Sequence, residues 1–335
     1  MVYLLDIVVF LPQIVWRLMR HLDMNLKQFR ALFSSEEACL QAIFDWRWPR
    51  GFICPHCQHN DGNRIRTRRS IECTLCGRQT SITSKTLFHK TRTPLPDWFL
   101  IIYFMAQDKS GTSALRIASF LSMHRSTVSI IMHKIRIAMA HRDENLTLAG
   151  LIEMDEAFFG GRTKRTKDKK PLSKDKIQVL VLVESEGTQA GDLVMKVING
   201  AEYHDLLPVI AEKIESDPPG QWFRADGWGS HHVVRQFGHR IKMGHIPRSL
   251  QDQELRCVSL AISHAKSFFK GTFHHFCKIH IQRYLDEFCY RWNRRHRERQ
   301  LASHLIAACA LCSPVFYSTI PRPRPEPEAD LGIAA

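Results

Sequence analysis

Apolar positions along the chain change their period repeatedly. Over residues 25–48 they recur at helical spacing, first Phe29, Leu32 and Phe33, then Leu40, Ile43 and Phe44. That spacing predicts a helix, with Ser35 as a cap within it. Residues 50–90 lose the helical period and read as loops and short strands, and 95–142 regain it as several helices. From about 150 onward β-rich runs come first. "LIEMDEAFF" (151–159), "IQVLVLVES" (177–185) and "GDLVMKVIN" (191–199) predict a three-strand meander. An amphipathic helix follows over 201–215, with Leu206, Leu207, Ile210 and Ile214 as its apolar stripe. Next come a strand ending at Asp226, a helix, a further strand in "RIKMGHI", and helices over 260–269 and 279–296. The tail "PRPRPEPEADLGIAA" is proline-rich and predicts disorder.

These changes divide the chain into an N-terminal extension (1–24), a helix with a loop-rich module (25–92), a helical region (93–145), an α/β region (150–300) and a C-terminal helix with its tail (301–335). The extension is apolar, but Asp6 and Pro12 interrupt it and Arg17 and Arg20 end it. It is short for a membrane span of about 20 residues. It also lacks the basic start and small-residue cleavage site of a secretory leader. It reads as an amphipathic helix or a non-native extension, with Met24 as an alternative start and a peripheral membrane anchor as the alternative reading.

Charge narrows the partners. The 335 residues carry a net charge of +14, which favours polyanions, nucleic acid before membrane. The excess is clustered: eight Lys/Arg against one acid over 64–92, eight against two over 162–176, and five against one over 291–299. Three such clusters point to phosphate contacts. Of ten cysteines, six are scattered and mostly in apolar contexts, as suits a reducing compartment.

The other four cysteines form a motif. "CPHC" (Cys54, Cys57) is followed after fifteen residues by "CTLC" (Cys73, Cys76). Two sulfurs in one tight turn can face a single ion, and two such turns close a tetrahedron, so the spacing predicts a structural Zn2+ site. Between the pairs, Arg64, Arg66, Arg68 and Arg69 would lie on a hairpin that offers guanidinium groups to DNA. "CALC" (Cys309, Cys312) has no partner pair and reads as core.

"GTSALRIASFLSMHRSTVSIIMHKIRIAM" (111–139) has the rhythm of a helix-turn-helix. Leu115, Ile117, Ala118 and Leu121 would face inward on its first helix, and Val128, Ile131, Met132 and Ile135 on its second. Arg125 and Ser126 would then stand early in a recognition helix, where base edges are reached.

Asp155 and Asp226 end two strand-like runs 71 residues apart, with glycines following each (Gly160 and Gly161; Gly227 and Gly229). Two acids at neighbouring strand ends could hold divalent cations such as Mg2+ or Mn2+, which prefer hard oxygen ligands. A pair of such ions can activate a hydroxyl and stabilise a leaving phosphodiester oxygen. The basic loop holding Lys164 and Arg165 would bring a polyanion to them.

Together "CPHC…CTLC", "EMDEAFFGG", "ADGWGSHH", "SHAKSFFKGTFHH" and "IQRYLDEFCYRWNRR" resemble bacterial insertion-sequence transposases of the DDE type with an N-terminal zinc ribbon, the ISXO2-like group, over about residues 25–300. The resemblance implies an RNase H-like catalytic domain, a mixed five-strand sheet with flanking helices. It also implies metal-dependent cleavage and strand transfer at element ends. Asp155 and Asp226 take the first two metal-binding positions. The third falls on His264 in "ISHAK", with Lys266 behind it and Glu287 as rival, while Lys266 and Lys270 would hold phosphates. Implied too are double-stranded DNA as partner, homo-oligomers on that DNA, no membrane, and a cytoplasmic, nucleoid-associated location. The alternatives are a non-enzymatic zinc-ribbon regulator and an RNase H-like nuclease.

Overall fold

The computed structural model describes residues 24–160, 176–200, 202–214, 221–226, 233–235, 240–243, 254–273 and 278–321. The expectations for the N-terminal extension, the Lys164/Arg165 loop, most of the helix after Asp226 and the proline-rich tail lie outside the described residues.

The single helix expected over 25–48 is two, α1 (Leu26–Leu32) and α2 (Glu36–Arg47). Asn25 and Gln28 form a capping box at the start of α1. Ser35 takes an extended conformation and accepts the Ala38 N–H. An N-cap requires non-helical backbone, so the residue that starts α2 also ends the run before it. The loop-rich module is a three-stranded antiparallel ribbon of β1 (Gly62–Ile65), β2 (Ser70–Cys73) and β3 (Gln79–Ser81). Then come α3 (Leu95–Gln107), α4 (Ala114–Leu121) and α5 (Arg125–Arg142).

These helices share one core with the ribbon. It contains Cys54, Ile71 and Cys73 of the ribbon, Phe29, Leu40, Trp98 and Ile135 of the helices, and Leu305 and Cys309 from far downstream. The "CALC" cysteines are core, as expected. Leu115 is not: it is 64% exposed. The buried stripe of α4 runs through Ile117 and Ala118, with Ala114 and Leu121 packed beside them, and Leu115 stands about 100° off it.

The α/β region builds a five-stranded mixed sheet from β4 (Leu151–Phe159), β5 (Ile177–Glu186), β6 (Gln189–Ile198), β7 (Trp222–Ala225) and β8 (Arg240–Met243). Its order is β6-β5-β4-β7-β8. The first three strands are antiparallel, and β4, β7 and β8 run parallel. Both faces are covered, which explains the unbroken apolar run in β5. Val179, Val181 and Val183 pack against α7 (Arg256–Thr272) and α8 (Ile281–Trp292). Leu180 and Leu182 face α6 (Tyr203–Lys213) through Leu206 and Ile210. α9 (Leu301–Leu311) then returns to the helical core.

Side chains of α8 and its C-terminal flank close the outer edge of β6. Asn293 accepts the Leu193 N–H at 2.8 Å and donates to the Leu193 carbonyl at 3.1 Å. Gln282 does the same for Val197 N–H and the Met195 carbonyl, and the Trp292 indole donates to Gly191. The unpaired backbone groups that make an edge strand prone to further pairing are thereby occupied.

A buried ion pair ties α5 to α8. Arg136 Nε donates to Glu287 Oε2 at 2.7 Å, with 2% and 0% of the two side chains exposed. The Arg136 guanidinium also lies 4.2 Å from the Tyr284 ring centroid. Beside it the His133 and His280 rings approach to 4.4 Å. Burial, with Arg136, His280 and Arg283 adding, pushes His133 down to about 3, so it is neutral near pH 7. Glu287→Ala is expected to cost about 3–5 kcal/mol because it strands a buried guanidinium, whereas Arg136→Met with Glu287→Leu should cost clearly less. Chemical denaturation of the two variants measures the difference, and equal losses would contradict the assignment. No helix among the described residues is long and apolar enough to cross a membrane.

Candidate active site and zinc centre

The two CxxC turns are built alike. Cys54 N–H donates to the His59 carbonyl, and Gln58 N–H returns to the Cys54 carbonyl. Cys73 and Gly77 repeat the pattern with Arg78. Each turn needs a positive φ just after its second cysteine, 61° at Gln58 and 66° at Gly77. All four sulfurs lie within 4.8 Å of one another, with Cys54–Cys76 at 3.7 Å and Cys57–Cys73 at 3.5 Å. A zinc–sulfur bond of about 2.3 Å puts tetrahedral sulfurs about 3.8 Å apart, so the cluster fits Zn2+. Backbone N–H groups of Cys57 and His56 lower the Cys54 thiol to about 6, toward the thiolate that binds metal. His56 and His59 stay out of the cluster, engaged with Arg78 and Thr74.

The ribbon arginines are partly committed within the protein. Arg64 pairs with Glu37 at 3.0 Å and Arg69 with Glu36 at 2.8 Å. These contacts clip the hairpin onto α2. Arg68 reaches Gln79, and the Arg66 side chain lies outside those described. Arg125 and Ser126 are exposed in the first turn of α5, as expected. His124 caps that turn, its Nδ1 accepting the Ser126 N–H.

Asp155 does not end its strand. β4 continues to Phe159 paired with β5, but its pairing with β7 stops at Glu153 and Arg224. Asp155 lies two residues beyond that last pair within β4, and Asp226 directly follows the last residue of β7, Ala225. Glu153, Asp155, Ala157 and Phe159 alternate onto one face of β4, the face that α7 covers. Both acids are half-buried, and Asp155 Oδ1 accepts the Glu156 N–H at 2.8 Å. Glu153, two residues earlier on the same face, is buried and accepts the Val258 N–H at 2.9 Å. A carboxylate from the sheet thus caps the first turn of α7.

Asp155 opens onto a hollow of about 420 Å3 whose other wall is α7, through Ser259, Ser263, Lys266, Ser267 and Lys270. Lys266 and Lys270 therefore line the same hollow as Asp155. His264 does not. It turns to the opposite side of the helix wall, its ring 5.7 Å from that of Trp292, in a separate groove with Leu260, Phe288 and Arg295. Residues one apart on a helix diverge by about 100°. The rival, Glu287, is also away from the acids, buried on Arg136. The serines at 259, 263 and 267 were missed in the sequence, although their four-residue spacing marks one helix face. The hard oxygens of Asp155 and Asp226 suit Mg2+ or Mn2+.

A family model described as ISXO2-like transposase domain matches residues 147–293. One described as transposase zinc-ribbon domain matches residues 34–79. No curated protein matches the chain. Among solved structures, a chain of the simian T-cell lymphotropic virus intasome in complex with PP2A regulatory subunit B56 gamma is similar at 12% identity. That match covers 53% of this chain and 68% of the other, with a TM-score of 0.28, too loose a likeness to argue from.

Proposed function

Because the chain belongs to the ISXO2-like transposases with an N-terminal zinc ribbon, we propose that it cuts and joins DNA strands at the ends of an insertion sequence. The observation that carries this reading is the parallel pairing of β4 with β7, which brings the chain segments that hold Asp155 and lead to Asp226 side by side, with a lysine-lined hollow in front of Asp155. Strand order β6-β5-β4-β7-β8, with helices on both faces, supports an RNase H-like domain.

In this reading Asp155 and Asp226 hold a divalent cation, Mg2+ or Mn2+, which when bound supplies an activated hydroxyl and stabilises the leaving oxygen. Lys266 and Lys270 seat the strand's phosphates, so the scissile bond is held over the acids rather than repelled by them. The basic segment with Lys164 and Arg165, which follows β4 in the sequence, adds positive charge. α4 and α5 act as a helix-turn-helix, with Arg125 and Ser126 at base edges and the α5–α8 ion pair fixing that reader to the catalytic domain. The ribbon, with Arg66 and Arg68, follows the backbone of double-stranded DNA in the bacterial cytoplasm and nucleoid. Two element ends require a homo-oligomer.

The test is incubation of element-end DNA with Mg2+, Mn2+ or EDTA, using wild type and Asp226→Asn. Wild type is expected to nick and join strands only with the cation, and Asp226→Asn to bind the DNA without cutting it. Cleavage in EDTA, or by the variant, would refute the reading. A regulator would bind and never nick. A nuclease would cut and never join.

A further inference from the structure

We propose that a cavity between α5 and the outer strand β6 binds a small organic cation from solution, an ammonium or amidinium group on an apolar body, with Asp286 as its counter-ion. The proposal goes beyond the transposase reading and does not depend on it.

The cavity measures about 380 Å3 and shares no residue with the hollow at Asp155. That size falls among small-molecule sites, which span about 300–1,000 Å3. Ile137 and Ala140 of α5 form one wall, and Val194 of β6 and Cys289 of α8 form the wall facing it. An apolar body can therefore leave water there.

Charge selects the head group. Four acids, Asp143, Glu144, Glu212 and Asp286, line the cavity against two lysines, Lys196 and Lys213. In a chain of net charge +14 this is a locally anionic place, which disfavours phosphate. Most of the charges are already matched. Asp143 holds Arg294 through both oxygens, at 2.6 and 3.0 Å. Glu212 takes Lys213 at 2.9 Å and lies 3.9 Å from Lys196. Asp286 is half-buried and forms no ion pair among the described residues. One of its oxygens accepts the Gln282 amide at 2.8 Å, which fixes the carboxylate. Burial pushes Asp286 up to about 6, so near pH 7 it is mostly ionised. A charge held away from water without a counter-ion is costly, and an entering cation relieves that cost. A metal ion does not fit, because Mg2+ and Ca2+ want about six oxygen ligands or more. Asp286 belongs to no group of three metal-ligating side chains among the described residues.

The test is calorimetric titration of benzamidine, and of its uncharged isostere benzamide, into the zinc-loaded full chain without DNA near pH 7. Benzamidine is expected to bind at least about tenfold more tightly than benzamide, the difference a charge-assisted hydrogen bond makes. Asp286→Asn keeps an acceptor for Gln282 and should erase that preference, while Glu144→Gln, at an exposed acid of the rim, should preserve it. Ala140→Leu fills the cavity without touching charge and should weaken both ligands. Melting without ligand shows that each variant folds, and if Asp286→Asn does not, Ala140→Leu decides. Equal binding of the two compounds by wild type, or no binding of benzamidine, overturns the proposal. So does benzamidine binding that survives Asp286→Asn or Ala140→Leu. A loss in Glu144→Gln as large as in Asp286→Asn would assign the attraction to the rim as a whole and also overturn it.

Discussion

Asp155→Ala is expected to lower strand cleavage at least about 10^3-fold while leaving binding to element ends within a few-fold of wild type. The size follows from removing one of two charged metal ligands where catalysis is largely electrostatic. The selectivity follows from position. Asp155 is half-buried beside a hollow, so its loss opens no apolar cavity, and β4 keeps its pairing with β5 on backbone bonds alone. Lys266 and Lys270 remain, relieved of a nearby anion, and phosphate contact does not weaken. Cleavage on a sequencing gel and binding by mobility shift read the two separately. A variant that cuts within tenfold of wild type would remove Asp155 from the chemistry.

The second large effect belongs to the zinc centre. Cys73→Ser should lose the zinc and, with it, the fold of residues 52–82. Structural zinc contributes about 10–16 kcal/mol in small zinc peptides. Here the damage spreads, because Cys54, Ile71 and Cys73 pack in the same core as Phe29, Trp98 and Leu305. The helical half should therefore melt at lower temperature, and chelator should have the same effect on wild type. Cys309→Ala, in that core but away from the sulfurs, should keep one zinc per chain. Zinc content and a melting curve for each variant decide the matter. Full zinc occupancy in Cys73→Ser would contradict a four-sulfur site.

Much of this was legible before any coordinates. The ribbon could be read because its ligands are local: two turns, each three residues wide, need no knowledge of the rest of the chain. The strands β4, β5 and β6 and the helix α6 were visible because their apolar periods are strong. The pair of acids could be singled out, but the adjacency of the strands that carry or lead to them could not. That depends on the parallel pairing of β4 with β7, across 71 residues of chain.

What sequence determined by itself was therefore whatever a few neighbouring residues enforce: the zinc cluster, the meander, the cap at Ser35, and the positive charge that selects a polyanion. Tertiary structure alone decided which side of α7 meets Asp155, that Glu287 belongs to Arg136, that Arg64 and Arg69 clip the ribbon to α2, and that Leu115 faces solvent. The physical reason is angular. One residue along a helix is about 100° of rotation, and the buried contacts on its far side, made by residues distant in the chain, choose the angle.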